Sequence, residues 1–357
     1  MDDFSHSSLA VDVSSSRGTS DCEPAGIMPS APVLFLIFNR PELTRQSFER
    51  IRAARPRQLF VAGDGPRPNV PGEADKVAAA RRAVEVVDWP CDVQTLYREN
   101  NLGCARAVSS AIDWAFENVD ELIVLEDDCL PAASFFPFCT ELLERYRDDE
   151  RVCVISGDNF QPGPPRTPYS YYFSRFNHCW GWATWKRAWH HFDFDMPLWG
   201  EICRGGWLVD LLHNPLAVRY WKRIFDQVSG GEIDSWAYRW TFAIWTFGGL
   251  TILPEVNLVQ NIGLSGDATH RSDEKHSRPA SDLKFPLTHP PFVIRDARAD
   301  SWTQQYHFGY GKVGLLDRIR YRLCYLAHPV IAPGRTAERE PARDRREVTV
   351  TGPGAAT

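Results

Sequence analysis

The sequence lacks the features that mark several large classes of protein. Its nine cysteines are odd in number and include no Cys-x-x-Cys pair, which favours reduced thiols over a disulfide framework or a structural zinc site. No window reaches the roughly 18 apolar residues of a membrane-spanning helix, and the N-terminus has no basic segment followed by an apolar one. The sequence therefore predicts a cytoplasmic protein that is soluble or peripheral at the inner face of a membrane.

A net positive charge and the common phosphate-binding loops are also absent from the sequence. The net charge is −6 at pH 7, which argues against a nucleic-acid partner. No Gly-x-Gly-x-x-Gly follows the first apolar run and no Gly-Lys-Ser or Gly-Lys-Thr loop occurs, so a dinucleotide dehydrogenase and a P-loop nucleoside triphosphatase are disfavoured. Length is less restrictive, because 357 residues suffice for one large α/β domain or two small ones.

What the chain does have is an apolar run that ends in three consecutive carboxylates. Leu122 to Leu125 precede Glu126, Asp127 and Asp128, which predicts a buried strand whose carboxyl end meets solvent. Since side chains alternate along a strand, Glu126 and Asp128 are expected on one side and Asp127 on the other. Such a concentration of negative charge needs a cation, and oxygen ligands favour Mn²⁺ or Mg²⁺ with phosphate oxygens completing the shell. The alternative interpretation is an acidic turn before a helix.

Strands and helices alternate through the first half of the chain. Apolar runs predict strands at 33–38, 59–62, 93–97, 122–125 and 152–156. Helical patterns lie between them at 76–87, 105–116 and 132–147, and another helix opens near Pro41. This order predicts an α/β fold with a mainly parallel, doubly wound sheet flanked by helices, whose ligands bind beyond the carboxyl ends of the strands. Asn39, Arg40 and Asp64 fall at such ends.

The second half of the chain is rich in aromatic residues. Most of the tryptophans lie between residues 180 and 245, and their flat apolar faces suit a sugar ring. Trp236 and Trp240 fall on one helical stripe, which is typical of core packing. Gly181 and Trp182 belong to a Trp-Gly-Trp segment that is expected to form a loop wall, because glycine lets the backbone turn tightly.

Two polar residues stand out in this half. Asp234 follows Gly230-Gly231 and precedes an aromatic helix, so it is either a carboxylate presented by a flexible loop or an ordinary helix N-cap. His270 comes late, after a strand-like run at 250–253, and a lone histidine is more often structural than a ligand. The residues themselves leave these alternatives open.

Together, these motifs resemble those of GT-A glycosyltransferases, especially the Golgi N-acetylglucosaminyltransferases and their bacterial family-2-like relatives. The shared elements, in the same order and approximate spacing, are Ile37-Phe-Asn-Arg40, Gly63-Asp64-Gly65, Leu125-Glu-Asp-Asp128, Gly181-Trp182, Asp234-Ser-Trp236 and Pro254-Glu-Val-Asn257. The resemblance extends from about Pro32 to His270. The chain differs from the Golgi enzymes in lacking a membrane anchor and in its Ser156-Gly-Asp-Asn159 stretch.

The resemblance implies a metal-dependent enzyme of polysaccharide biosynthesis. Its donor would be a nucleotide-diphospho-sugar such as UDP-GlcNAc, and its acceptor a hydroxyl of a glycan or lipid-linked glycan. The implied nucleotide-sugar-binding residues are Asn39, Arg40, Asp64, Glu126 and Asp127. The implied ligands of Mn²⁺ or Mg²⁺ are Asp128 and His270, the implied catalytic base is Asp234, and the implied sugar pocket contains Gly181, Trp182 and Trp236. Such a base favours inversion at the anomeric carbon, although retention stays open.

Two functions of other classes compete with this one. A sugar nucleotidylyltransferase shares the sheet and the metal, but it needs a glycine-rich basic loop after the first strand to hold a triphosphate. The segment that begins at Asn39 is not such a loop. A non-catalytic carbohydrate-binding protein would explain the tryptophans but not the acidic strand end.

The resulting domain organisation has five segments. They are a disordered N-terminal segment 1–31, a nucleotide-sugar-binding half 32–160, an acceptor and catalytic half 161–275 of the same domain, an extension 276–334, and a disordered tail 335–357. In the extension, Leu315, Ile319, Leu323 and Leu326 repeat at helical spacing beside Arg318, Arg320 and Arg322. This pattern predicts either a packed helix or a helix that binds an anionic membrane surface.

Overall fold

The computed structural model describes residues 31–263 and 278–310, together with Ile319. All of these except Ile319 belong to one unit, Met1–Lys312. His270, nearly all of the predicted N-terminal segment and the predicted C-terminal tail lie outside the described residues. So does the predicted amphipathic helix apart from Ile319. Within the described ranges, no helix is both long and apolar enough to cross a membrane.

The strands are β1 (Val33–Ile37), β2 (Gln58–Gly63), β3 (Asp92–Tyr97), β4 (Glu121–Glu126), β5 (Cys129–Pro131), β6 (Val152–Ser156), β7 (Tyr171–Ser174), β8 (Trp182–Trp185), β9 (Leu250–Pro254) and β10 (Val259–Asn261). The helices are α1 (Pro41–Ala54), α2 (Glu73–Arg82), α3 (Cys104–Phe116), α4 (Phe135–Arg145), α5 (Lys186–Trp189), α6 (Trp199–Gly205), α7 (Leu208–Leu212), α8 (Pro215–Ser229), α9 (Trp236–Phe247) and α10 (Ala297–Trp302). A π-helical turn, Thr303–Phe308, follows α10.

Eight of the strands form one twisted layer in the order β3-β2-β1-β4-β8-β6-β9-β7. Only β8 and β7 run against the other six, so the sheet is mainly parallel and the predicted α/β fold is confirmed. The strands β5 and β10 form a separate antiparallel pair. All five residues of β1 are buried, as expected for a central strand that is covered on both faces.

The two faces of the sheet carry separate cores. Along β1 the side chains alternate, so Leu34 and Leu36 enter one core while Val33 and Phe35 enter the other. The first core is packed by α3, α8 and α9 and contains most of the tryptophans of the second half. The aromatic-rich half therefore contributes mainly packing, as the helical stripe through Trp240 predicts.

Two predicted helices have different bounds in the structure. The pattern at 76–87 forms a helix that begins at Glu73 and ends at Arg82. The segment that follows contains three valines and Pro90, which disfavour a helix. The pattern at 132–147 becomes helical only at Phe135. The residues just before it extend the pairing of β5 with β10 instead. The Ala132 N–H donates to the carbonyl of Leu258, the residue before β10, at 2.8 Å.

Candidate functional site

The candidate site lies where β1, β2 and β4 reach their carboxyl ends. The pairing of Leu36 with Glu126 aligns the end of β1 with the end of β4, and the parallel pairing of β1 with β2 places Asp64 at the same edge. The expectation that polar residues gather at one edge of the sheet therefore agrees with the structure.

The Arg40 guanidinium bridges two of the three consecutive carboxylates. Its Nη2 donates to Asp127 Oδ1, and its Nη1 donates to Asp128 Oδ2 at 2.9 Å. Asp127 also accepts the Phe38 N–H at 3.2 Å. The sequence predicts Asp127 and Asp128 on opposite sides of a strand, but β4 ends at Glu126, and beyond it the two carboxylates share one guanidinium.

Glu126 is the third member of this acidic cluster. It is half-buried and lies near the Trp236 indole, which favours its charged form. Burial, helped by the charge of Asp128, raises the pKa of Glu126 to about 8. Burial likewise raises the pKa of Asp127 to about 6, against the lowering effect of Arg40. A cation added to this cluster would favour the charged carboxylates, because opposite charge stabilises the ionised form.

The donor atoms fit a divalent cation that is held only in part by protein. Asp128 Oδ2 is bound by Arg40, whereas Oδ1 has a 3.7 Å contact with Cys129 Sγ. Among residues 31–263 and 278–310, no group of three or more His, Cys, Asp or Glu side chains forms a metal cage. A carboxylate on a side chain that is 13% exposed suits Mn²⁺ or Mg²⁺ completed by water and phosphate oxygens. His270, the other predicted ligand, lies outside the described residues.

Gly263 closes this site from the side of β10. A Cβ built on it would lie 2.7 Å from Asp128 Cβ and 2.8 Å from Arg40 Nη1, so only a residue without a side chain permits this approach. The sequence analysis missed Gly263, and its position six residues after the last shared element, Pro254 to Asn257, gave no local signal for the contact.

Asp64 is engaged within the protein. Its carboxylate accepts the Gly65 N–H at 3.0 Å and the Leu102 N–H at 3.0 and 3.1 Å. Burial raises its pKa. Asp64 therefore fixes the loop that leads into α3, and its assignment to nucleotide binding remains a prediction.

Asn39 is also held by the protein, through a buried acid that the sequence analysis missed. Its Nδ2 donates to Glu73 Oε1 at 2.8 Å. Glu73 is only 2% exposed and also accepts the backbone N–H and Nε of Arg67, at 2.7 and 3.0 Å. This network ties the end of β1 to the start of α2. In the sequence, the only signal for it was an acid in the first turn of a helix, where negative charge is favoured.

Replacing Glu73 with glutamine is expected to lower the free energy of unfolding by about 1–3 kcal/mol at pH 7, because Arg67 and Asn39 lose a charged buried acceptor. The hydrogen bond from Arg67 holds the pKa of Glu73 at about 2, below its ordinary 4.5. The carboxylate therefore stabilises the fold fully above pH 4.5, and that contribution disappears as the pH falls through 2. Denaturant titrations from pH 7 to pH 2 measure the difference between the two proteins, which should shrink on acidification.

Asp75→Asn is the matched control for this prediction. Asp75 lies in the same first turn of α2 and is exposed, so its replacement should change stability little. An equal loss in both variants, or a Glu73→Gln loss that does not depend on pH, would contradict the assigned role of Glu73.

Asp234 lies at the start of α3. It is exposed, and its Oδ1 accepts the Ala105 N–H at 3.1 Å. The N-cap of its own helix α9 is Ser235, so Asp234 is not an ordinary N-cap of that helix. An exposed carboxylate with one oxygen held by a backbone donor can accept a proton through the other oxygen.

Gly181, Trp182 and Trp236 are buried rather than exposed to a pocket. Trp182 is 1% exposed within β8 and stacks on Trp236, with ring centroids 5.3 Å apart. Trp236 is 3% exposed. In contrast to the sequence prediction, neither ring face is open to a sugar, because β8 pairs with β4 and β6 in the middle of the sheet.

Comparisons with known proteins add little to this geometry. No family model matches the sequence, and no curated protein matches it. Among solved structures, the chain is similar to a cytidylyltransferase from Leptospira borgpetersenii serovar Hardjo-bovis, with 11% sequence identity, a TM-score of 0.29, and coverage of 46% of this chain. The match spans 64% of the cytidylyltransferase, less than two thirds of its length. A likeness of this size assigns neither a family nor an activity to the chain.

Proposed function

We propose that this protein is a metal-dependent glycosyltransferase that moves a sugar from a nucleoside-diphospho-sugar, such as UDP-GlcNAc, to a hydroxyl of a glycan or lipid-linked glycan. One observation carries the proposal. Trp236, two residues after Asp234, stacks on Trp182, which pairs with Val124 of β4, and this packing brings the start of α9, and with it Asp234, towards the acidic end of β4. A carboxylate suited to bind a cation and a carboxylate suited to accept a proton thus border one strand end.

The reaction needs charge stabilisation at one point and proton removal at another. The bond between the anomeric carbon and the β-phosphate oxygen breaks, and a bond to the acceptor oxygen forms. Mn²⁺ or Mg²⁺ bound by Asp128 would supply Lewis-acid stabilisation of the diphosphate that leaves. Without such a cation, the carboxylates of Asp127 and Asp128 outnumber the guanidinium of Arg40 that bridges them, and a diphosphate would be repelled.

Asp234 would receive the proton of the acceptor hydroxyl. Its Oδ1 is held by Ala105, so the carboxylate is already oriented before the acceptor arrives. A base that is positioned in this way typically accelerates proton transfer by about 10²- to 10⁴-fold. Attack by the deprotonated oxygen from the face opposite the diphosphate would invert the anomeric centre.

A thermal-shift screen of nucleoside-diphospho-sugars, with and without MnCl₂, tests the proposal. We expect the correct donor to raise the melting temperature only when Mn²⁺ is present, because ligand binding to the native state stabilises it. Turnover should then release free nucleoside diphosphate in the presence of an acceptor glycan. Release of pyrophosphate from a nucleoside triphosphate and a sugar phosphate would instead indicate a nucleotidylyltransferase.

A further inference from the structure

The segment that precedes α3, residues 100–103, is here called the capping loop. It is bound on one side by Asp64, whose two oxygens accept the Leu102 N–H at 3.0 and 3.1 Å. Asn101 strengthens this attachment, because its Nδ2 donates to the Gly65 carbonyl at 2.9 Å. The capping loop is therefore fixed to the carboxyl end of β2.

On its other side the capping loop meets Asp234. The Ala105 N–H lies in the first turn of α3, where backbone donors have no acceptor within the helix, and Asp234 Oδ1 accepts it at 3.1 Å. Gly103 lies directly against the same carboxylate, since a Cβ built on Gly103 would be 2.7 Å from Asp234 Oδ2. Its φ of +80° also favours glycine.

The helix that follows Asp234, α9, holds it less directly. Gly230 and Gly231 precede it, and the Ser235 side chain makes no capping hydrogen bond. Arg239 fixes the backbone nearby, because its Nη1 donates to the Ser235 carbonyl at 2.8 Å. The orientation of the carboxylate itself is set by α3 and Gly103.

We propose that the capping loop is a positioning element of the transfer reaction. Gly103 of the loop and Ala105 in the first turn of α3 fix the Asp234 carboxylate, and the bonds of the loop to Asp64 tie that carboxylate to the carboxyl end of β2. This inference rests on the proposed function, because positioning requires that Asp234 act on the substrate. Gly103 and Ala105 act through Asp234 and are positioning residues.

The kinetic test compares Gly103→Ala with Gly72→Ala. Both glycines are helix N-caps with positive φ, but a Cβ on Gly72, where φ is +74°, would meet nothing within 4 Å. We expect Gly103→Ala to lower kcat by about 10²-fold, the effect of a small misplacement of a reacting group, with the KM for the donor nearly unchanged. Gly72→Ala should keep the wild-type kcat. Equal kcat losses in both variants, or none in Gly103→Ala, would overturn the proposal.

A second measurement does not depend on turnover. Hydrogen–deuterium exchange of a peptide that contains Ala105 should be on the order of fivefold faster in Asp234→Ala than in wild type, the factor that one capping hydrogen bond supplies. Asp234→Asn keeps an oxygen acceptor and should exchange like wild type, and a peptide from α8 is the reference. Wild-type exchange in Asp234→Ala would overturn the positioning contact. A wild-type protein without any transfer activity would overturn the proposed function instead, while the exchange result would still report the contact.

Discussion

Replacing Asp128 with asparagine is expected to abolish transfer and to leave the fold intact. The variant loses the charge that holds the cation, and that cation is worth several kcal/mol to the leaving diphosphate, so kcat/KM should fall by at least about 10²-fold. The fold should persist because the amide oxygen of the new side chain can still accept from Arg40, which also keeps its bond to Asp127. Calorimetry with a UDP-sugar, in Mn²⁺ and in chelator, measures the binding.

The control for this variant is Glu49→Gln, which removes an exposed acid of α1. It should bind donor and cation as the wild type does. The metal hypothesis fails if chelator leaves UDP-sugar binding undiminished in both the wild type and Asp128→Asn.

Replacing Asp234 with asparagine is expected to lower kcat by about 10²- to 10⁴-fold, because an amide cannot accept the acceptor proton. The melting temperature should stay close to that of wild type, since the amide oxygen still accepts the Ala105 N–H. Steady-state kinetics and a thermal melt on the same preparation measure both quantities. The outcome separates a base from a helix cap, whose loss would cost on the order of 1 kcal/mol of stability and little activity.

Glu232→Gln is the matched control, because Glu232 is an exposed carboxylate of the same loop. It should transfer sugar at the wild-type rate. Near-normal transfer by Asp234→Asn together with a lowered melting temperature would show that Asp234 is structural.

The sequence predicted those parts of the fold that depend on patterns among neighbouring residues. Consecutive apolar residues mark β1 and β4 as buried strands, and the acids that follow Leu125 mark where β4 meets solvent. Both strands were therefore predicted to within about one residue of their observed bounds. The α/β class followed from their alternation with helices. Contacts between distant residues had no such signal. The hydrogen bond between Ala105 and Asp234 and the β5–β10 pair join segments more than a hundred residues apart.

Trp182 shows why a local pattern can mislead. The four residues Trp182–Trp185 are all buried, so they lack the polar alternation that marks a half-exposed strand, and the glycine before them suggested a loop. Only the pairing of these residues with β4 and β6 in the structure identifies them as a strand. The candidate site was predicted in the same uneven way: the acids at the strand ends could be read from the sequence, whereas Glu73, Gly103 and Gly263, which position their neighbours, could not.

The place of β8 in the sheet bears on how this chain can be divided. Because β8 lies between β4 and β6, and β6 pairs otherwise only with β9 within the described sheet, a fragment that ends at residue 160 would leave β6 with no neighbour. It would also leave β4 with an unpaired edge formed by Leu122–Leu125, a template for aggregation. Residues 32–160 thus do not form an independent folding unit, and during synthesis β4 stays unpaired on this edge until Trp182–Trp185 have emerged.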